Sequence, residues 1–347
     1  MVKRRRFLSI VAACTATPLA RAAAAAEPVV WRGTAMGALA SMTLLHPDRE
    51  WARSLMQRCV AEIDRLESVF SLYRTDSALS RLNAAGQLRD PPFELVELLS
   101  HSLALARASG GAFDPTVQPL YRLYAAHFGQ AGATPAGPPA AAIARARRHV
   151  GYAGVEIDAD RVRLQRPGMA VTLNGIAQGY VTDRVADQLR AAGLTHLMID
   201  LGELRAHGAG RAGAPWRAAV GDPRSPSHPL LELRLGDAAG ALPALATSAG
   251  AGTVFGADPR INHLFDPATG HSANRWLSVS VAAPRATAAD GLSTALSVLP
   301  IERAARLLGS CAPARAWLAH PDGRLVALDS GKQASERRKG ALPSAIA

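Results

Sequence analysis

The spacing of apolar positions changes along the chain and divides it into helical and extended stretches. Leu55, Cys59, Ile63 and Leu66 recur at helical spacing, which predicts one long amphipathic helix from Arg49 to Val69. A loop from Phe70 to Asp76 follows, then a short helix from Ser77 to Asn83 that stops near Gly86. A further helix is expected over Phe93 to Ala108, closed by Gly110-Gly111, with a new turn or helix start at Asp114-Pro115. The Pro, Gly and Ala run over 129–142 predicts a surface loop. Beyond it the pattern shortens to strands at Val155–Ile157, Val162–Leu164, Leu197–Leu201, Trp216–Val220, Leu231–Leu235 and Leu277–Ala282. Among them lies a helix from Asn174 to Ala192, with Ile176, Tyr180, Val185 and Leu189 on one face and Gly193 at its end. Strands joined by turns, with helices inserted in two places, predict an α+β fold rather than a regular parallel sheet.

Composition supports a sizeable core: 48% of the 347 residues are hydrophobic. The formal charge of +11 suggests nucleic acid until its location is read. Residues 1–22 hold Lys3, Arg4, Arg5, Arg6 and Arg21 and no acid, so the chain beyond them carries 34 basic against 28 acidic residues, a balance of +6. Residues 331–347, expected to form a flexible basic tail, account for +3 of that. No basic stripe interleaved with aromatics is present, so no nucleic-acid partner is expected. The basic start, the apolar run from Phe7 to Ala13 and Ala20-Arg21-Ala22 read as an export signal over residues 1–22. Arg4-Arg5-Arg6-Phe7-Leu8 resembles a twin-arginine signal, and a periplasmic location follows from it. Val11-Ala12-Ala13-Cys14 also resembles a lipoprotein box, so lipidation at Cys14 is the alternative; otherwise the membrane is reached only through a partner. Cys59 and Cys311 are too few and too far apart for a thiolate metal site.

Candidate chemistry is densest at Ala289-Asp290-Gly291-Leu292-Ser293-Thr294-Ala295-Leu296. A carboxylate and a hydroxyl four residues apart share one helical face and are ligands that Mg²⁺ accepts. Thr287 and Asp290 equally fit an N-cap and N3 pair for a helix running through Leu299, so capping is the competing reading. Leu173 to Tyr180 places small residues at a helix N-terminus, where free N–H groups favour phosphate and a nearby carbonyl can face a cation; close helix packing would explain them as well. His263 to Gly270 reads as a strand ending in a turn with an imidazole just before it. Gly111 to Val117 reads as a helix start carrying an aromatic.

Together with Met36-Gly37 and the segment from Phe70 to Asn83, these motifs resemble the ApbE family of FAD:protein FMN transferases in order and spacing from about Trp31 to about Leu328. The resemblance implies one domain over 28–330, with a T-fold-related antiparallel sheet and packed helices. It implies an enzyme that cuts FAD at its pyrophosphate, joins FMN to a Thr of an acceptor flavoprotein and releases AMP. Met36, Tyr73, Ala112, Phe113, Asp114 and Leu264 then correspond to the FAD pocket. Mg²⁺ is implied at the Gly175 carbonyl, Asp290 and Thr294, with Ser293 assisting, and His263 as the base for the acceptor Thr. Leu173 to Tyr180 and Asp200-Leu201-Gly202-Glu203 further resemble the NosX-type branch, which implies an acceptor in nitrous oxide respiration.

Two positions depart from the family pattern. Many members start the central motif with Asp and carry Lys before its last Gly, where this chain has Thr172 and Gln178. Both are retained as pocket residues. Losing one charge of each sign leaves the local sum little changed, yet a periplasmic FAD carrier with weakened chemistry is the alternative function.

Overall fold

The computed structural model describes residues 27–237, 240–311 and 313–337. The expected export signal and Cys14 lie outside them. The chain opens with a hairpin, β1 (Val29–Ala35) and β2 (Ala38–Leu44), followed by α1 (Arg49–Phe70), α2 (Ala78–Ala85) and β3 (Gln87–Arg89). Helices α3 (Phe93–Ala108), α4 (Gln118–Phe128) and α5 (Ala140–Arg147) precede β4 (Val155–Ile157) and β5 (Arg161–Leu164). Helix α6 (Ala177–Ala191) leads into β6 (Leu197–Asp200), β7 (Leu204–His207), β8 (Trp216–Asp222), β9 (Ser225–Leu235) and β10 (Ala244–Ala249). Then come β11 (Ser278–Ala283), α7 (Ala286–Val298), α8 (Ile301–Gly309), β12 (Arg315–Ala319), β13 (Leu325–Asp329) and β14 (Lys332–Arg337).

Nine strands form one sheet in the order β1-β2-β6-β7-β10-β11-β12-β13-β14, every neighbouring pair antiparallel. Helices α1, α6 and α7 lie side by side on the sheet, α1 against β1, α6 against β6 and β7, and α7 against β10 and β11. The β8–β9 ribbon packs its Trp216, Val220 and Leu231 with Met198, Leu245 and Ala282 of the large sheet as a separate apolar cluster. Covered on both sides, β11 is buried at all six of its residues. A third cluster of Leu120, Tyr124, Ile143, Phe255 and Phe265 sits beneath the loop that carries His263. The α+β expectation therefore holds, with the antiparallel sheet as its central layer.

Local signals explain the helices that periodicity foretold. Asp48 caps α1 by accepting from the Trp51 amide at 2.9 Å, and the buried stripe contains Leu55, Cys59, Ile63 and Leu66. Ser77 caps α2 in the same way, and Gly86 ends it at φ +72°, where a side chain would be strained.

Several expectations are corrected. Residues 332–337, expected within the flexible tail, pair with β13 as the sheet's last strand, because β13 would otherwise leave its backbone groups unpaired there. The helix expected from Asn174 begins at Ala177, since Leu173 to Ile176 form a tight turn. The segment before the Asp266 turn makes isolated bridges, Val254 to Asn262 and Phe265 to Ser272, rather than a strand. Gly111 to Val117 stays outside α4, which starts at Gln118 with Pro119 in its first turn.

Helices α6 and α7 run antiparallel in unusually close contact, which Gly179 permits. A Cβ at Gly179 would overlap the Ala286 carbonyl and lie 2.8 Å from the Asp290 Cβ. Alanine would add about 1 kcal/mol of helix propensity, but forcing a methyl against backbone costs about 1–3 kcal/mol and also strains the Asp290 contact, so the clash prevails. Gly179→Ala is expected to lower the urea midpoint with an unchanged slope, and a midpoint at or above wild type would disprove this packing role.

Candidate functional site

The site is built where α6, α7 and the end of β10 converge. The N-terminus of α6 has no side-chain cap of its own, and Asp290 of α7 supplies one: its Oδ2 accepts from the Gly179 amide at 2.9 Å. One turn further along α7, the Thr294 hydroxyl donates to the Gly175 carbonyl at 3.3 Å. A Cβ on Gly175 would lie 2.9 Å from Thr294 Oγ1, so only glycine leaves this recess open. Thus a carbonyl, a hydroxyl and a carboxylate meet beside a helix N-terminus, although 115 or more residues separate Gly175 from its α7 partners. Thr287 and Asp290 do not cap their own helix, which begins at Ala286 after Arg285. The cap of α7 comes from Asp183.

Ser293 stands one step back. Its hydroxyl donates to the Asp290 carbonyl at 2.9 Å and lies 2.7 Å from the Ser248 hydroxyl, which is itself 3.3 Å from Thr294 Oγ1. Ser248, in β10, was missed in the sequence because neither its spacing nor its neighbours distinguish it. Just beyond β10 the chain reaches His263: the Thr253 carbonyl accepts from the His263 amide at 3.1 Å and lies 3.2 Å from His263 Nδ1. A carbonyl can only accept, so Nδ1 carries the hydrogen and Nε2 is the basic nitrogen. Burial lowers the His263 pKa, which keeps the imidazole neutral at pH 7. A single strand and its exit loop thus support both the oxygen cluster and the imidazole.

The remaining residues form a chain of contacts around this centre. The Thr172 amide donates to the Pro115 carbonyl at 2.7 Å, tying the central motif to Asp114, and the Thr172 hydroxyl accepts from the Asn174 amide. Asp114 accepts from the amides of Thr116 and Tyr152 and from the Thr116 hydroxyl, and burial raises its pKa despite them. Asn83 pairs with both backbone groups of Val171, so the end of α2 joins the same motif. Ala112 and Phe113 are buried in the main core, as wall rather than open surface. Tyr73, by contrast, is 60% exposed and presents a broad face. The Met36 amide donates to Glu67 on α1, and Met36 adopts φ +49°, rare for a side-chain-bearing residue. Met36 and Tyr73 thus sit near the last turn of α1, joined to the centre through α2 and Val171 rather than by direct contact with the α6–α7 residues in the hydrogen bonds described. Leu264 lies next to His263, its amide donating to Asn262 Oδ1. Gln178 packs its carboxamide on Gly202, where a Cβ would overlap it.

The electrostatics are uneven. Glu203 is a buried carboxylate that feels the charges of Asp290, also buried, and of Asp200, which is partly buried. Burial pushes Asp290 up to about 7 and Asp200 up to about 6. Glu203 is raised well above the carboxylate range by burial and by the charges of Asp290 and Asp200, in spite of the Thr247 amide it accepts. Among the described residues no three His, Cys, Asp or Glu side chains are arranged to hold a metal, so a cation here has to use carbonyl and hydroxyl oxygens beside one carboxylate. The Gly175, Asp290 and Thr294 oxygens are of the hard type that Mg²⁺ takes.

Comparison with known proteins places the chain in a family. The ApbE family model matches residues 36–317. A protein from Vibrio cholerae named FAD:protein FMN transferase is 34% identical over 254 residues, covering 70% of this chain and 73% of its own. One of the same name from Klebsiella pneumoniae is 29% identical over 296 residues, covering 83% of each. The solved flavin transferase ApbE from Vibrio cholerae superposes with a TM-score of 0.74 at 27% identity, over 88% of this chain and 97% of its own. The apo flavinyl transferase ApbE of Pseudomonas stutzeri gives 0.70 at 28% identity, over 88% and 95%.

The buried carboxylates make stability depend on pH in a defined direction. Asp200, Glu203 and Asp290 have folded-state pKa values above their unfolded ones, so from about pH 4 to pH 7 the folded chain keeps protons that the unfolded chain has lost, and stability falls as pH rises. His263, lowered in the fold, acts in the opposite sense, but it is one group against these three and Asp114, which burial also raises. Surface carboxylates held low by arginines, such as Asp76 and Asp258, titrate below this window. The melting temperature of the metal-free protein is expected to drop between pH 5 and pH 7.5, and Asp290→Asn to flatten part of that slope. A melting temperature that climbs over the same range would contradict the assignment.

Proposed function

Because the chain belongs to the ApbE family, we propose that it is an FAD:protein FMN transferase that joins FMN to a threonine hydroxyl of an acceptor flavoprotein, with Mg²⁺, and releases AMP. The observation that supports this chemistry is the convergence of the Gly175 carbonyl, the Asp290 carboxylate and the Thr294 hydroxyl at the N-terminus of α6. Gly175, Asp290 and Thr294 would hold the cation, and Ser293 would help through Ser248 rather than directly. When bound, Mg²⁺ supplies positive charge against the pyrophosphate oxygens.

The protein's own residues account for the other requirements. The amides of Ala177 and Gly179 at the start of α6 are already taken by the Leu173 carbonyl and by Asp290, so it is the positive end of the helix, with the Gln178 amide, that would suit a phosphate. Met36, Tyr73, Ala112, Phe113, Asp114 and Leu264 form the FAD pocket in this reading, Tyr73 as a stacking face and Phe113 as buried wall. Thr172 and Gln178 are neutral, so phosphate placement relies on α6 and on the cation rather than on a lysine. His263 Nε2 accepts the proton of the acceptor hydroxyl as its oxygen attacks the FMN phosphorus. The bond between that phosphorus and the bridging oxygen breaks, and the electron pair leaves on AMP. Burial keeps the imidazole unprotonated at neutral pH, as a base requires. We further propose that the chain is exported to the periplasm by its twin-arginine-like signal. An acceptor in nitrous oxide respiration fits the NosX-like motifs.

Two experiments test this reading. Purified protein, FAD, Mg²⁺ and a flavoprotein domain of nitrous oxide respiration should yield AMP and covalently fluorescent acceptor. His263→Ala should cut transfer about 10²–10⁴-fold while FAD binding persists. Asp290→Asn should shift the Mg²⁺ midpoint of transfer upward, and Thr294→Val less so, because one removes an anionic oxygen and the other a neutral one. FAD retained without any AMP would indicate a carrier instead. For export, replacing Arg4 and Arg5 together by Lys should hold precursor in the cytoplasm, and unimpaired processing on immunoblots of cell fractions would exclude the twin-arginine route.

A further inference from the structure

Asp183 is only 1% exposed at its side chain, yet none of its contacts is with the oxygen cluster. Its Oδ1 accepts from the Ala286 amide at 2.9 Å, and its Oδ2 from the Thr287 amide at 2.9 Å and the Thr287 hydroxyl at 2.7 Å. Arg205 pairs with it, and Arg285 Nε lies 3.2 Å from Oδ2. Arg205 and Arg285 also reach Asp187, one turn along α6, at 3.4 and 2.7 Å. Asp183 is therefore the N-cap that α7 lacks in its own sequence, supplied from α6. The next turn of α7 carries Asp290, which caps α6 in return through Gly179. Each helix is thus registered against the other by a carboxylate at its partner's N-terminus.

We propose that Asp183 is a positioning residue for the transfer reaction: by fixing the first turn of α7 it sets where the Asp290 carboxylate meets Gly179, Gly175 and Thr294. This rests on the reading of Asp290 as the cation carboxylate. Asp183 touches neither cation nor substrate and acts only through α7. Loss of the clasp lets α7 slide or rotate by a fraction of an ångström, and the three oxygens no longer converge. Outer groups that orient ligands in this way change metal affinity about 10–100-fold when removed.

The test uses the full chain and two readouts. Asp183→Asn keeps the size but loses the charge that Arg205 and Arg285 require. Calorimetric titration with Mg²⁺ alone should show affinity about 10–100-fold weaker than wild type. Hydrogen exchange should quicken in the peptide spanning 177–182, at the far end of the clasp from α7's first turn. Leu308→Ala, a core truncation in α8, controls for general destabilisation and should change neither readout at temperatures well below melting. Should Asp183→Asn not fold, Thr287→Val removes one donor only, and the expected loss of Mg²⁺ affinity is about two- to tenfold. A wild type that binds Mg²⁺ with a variant that binds it equally overturns the proposal alone. Unchanged exchange at 177–182 overturns it too, whatever the metal does. A wild type that binds no Mg²⁺ removes the underlying metal reading along with it.

Discussion

The reciprocal clasp between α6 and α7 is the constraint on which the rest of the site depends. Two helices packed this closely bury the N–H groups of their first turns, and each N-terminus requires an acceptor. Neither helix supplies one locally: Ile176 and Arg285 precede them without a capping side chain. Asp183 and Asp290 solve the problem crosswise, and Gly179 removes the Cβ that would hold the helices apart. Since breaking a buried, hydrogen-bonded charge pair costs about 3–5 kcal/mol, this arrangement is a rigid registration of two elements rather than a loose contact.

The two carboxylates of the clasp live in opposite surroundings. Asp183 is saturated with two amides, a hydroxyl and two guanidinium groups. Asp290 accepts one amide, is buried near Glu203 and feels the negative charge of Asp183, so its ionised form is poorly compensated. The difference assigns different work to identical side chains. A saturated carboxylate holds structure, while one short of positive charge is suited to the cation of the proposed function, to which the Gly175 and Thr294 oxygens would add further ligands.

The sheet carries this arrangement to His263. β10 places Ser248 against Ser293 and Thr294, and within a few residues the same segment offers the Thr253 carbonyl to His263. Groups mounted on one strand and its exit keep their spacing better than groups on separate mobile loops. The apolar cluster of Tyr124, Phe255 and Phe265 supports that exit loop from below.

The sequence by itself determined most helices, the α+β class and the candidate residues of the site. Periodicity located α1, α3 and α6 closely, because an amphipathic stripe is a local property, and turn chemistry located Gly86 and Asp266. It did not reveal the hairpin of β1 and β2, whose short strands mix Gly, Ala, Ser and Thr, or β10, whose Ala-rich run has no alternation to read. Asp290 could be read equally as a cap or as a cation ligand, and the structure shows why one stretch supported both: it does cap a helix, but α6 rather than its own. Only the tertiary structure could identify Asp183 as the cap of α7, or join Ser248 to Thr294. Those partners lie 104 and 46 residues apart. No local pattern records a contact at such separations, because it arises only when burial of apolar faces brings the elements together.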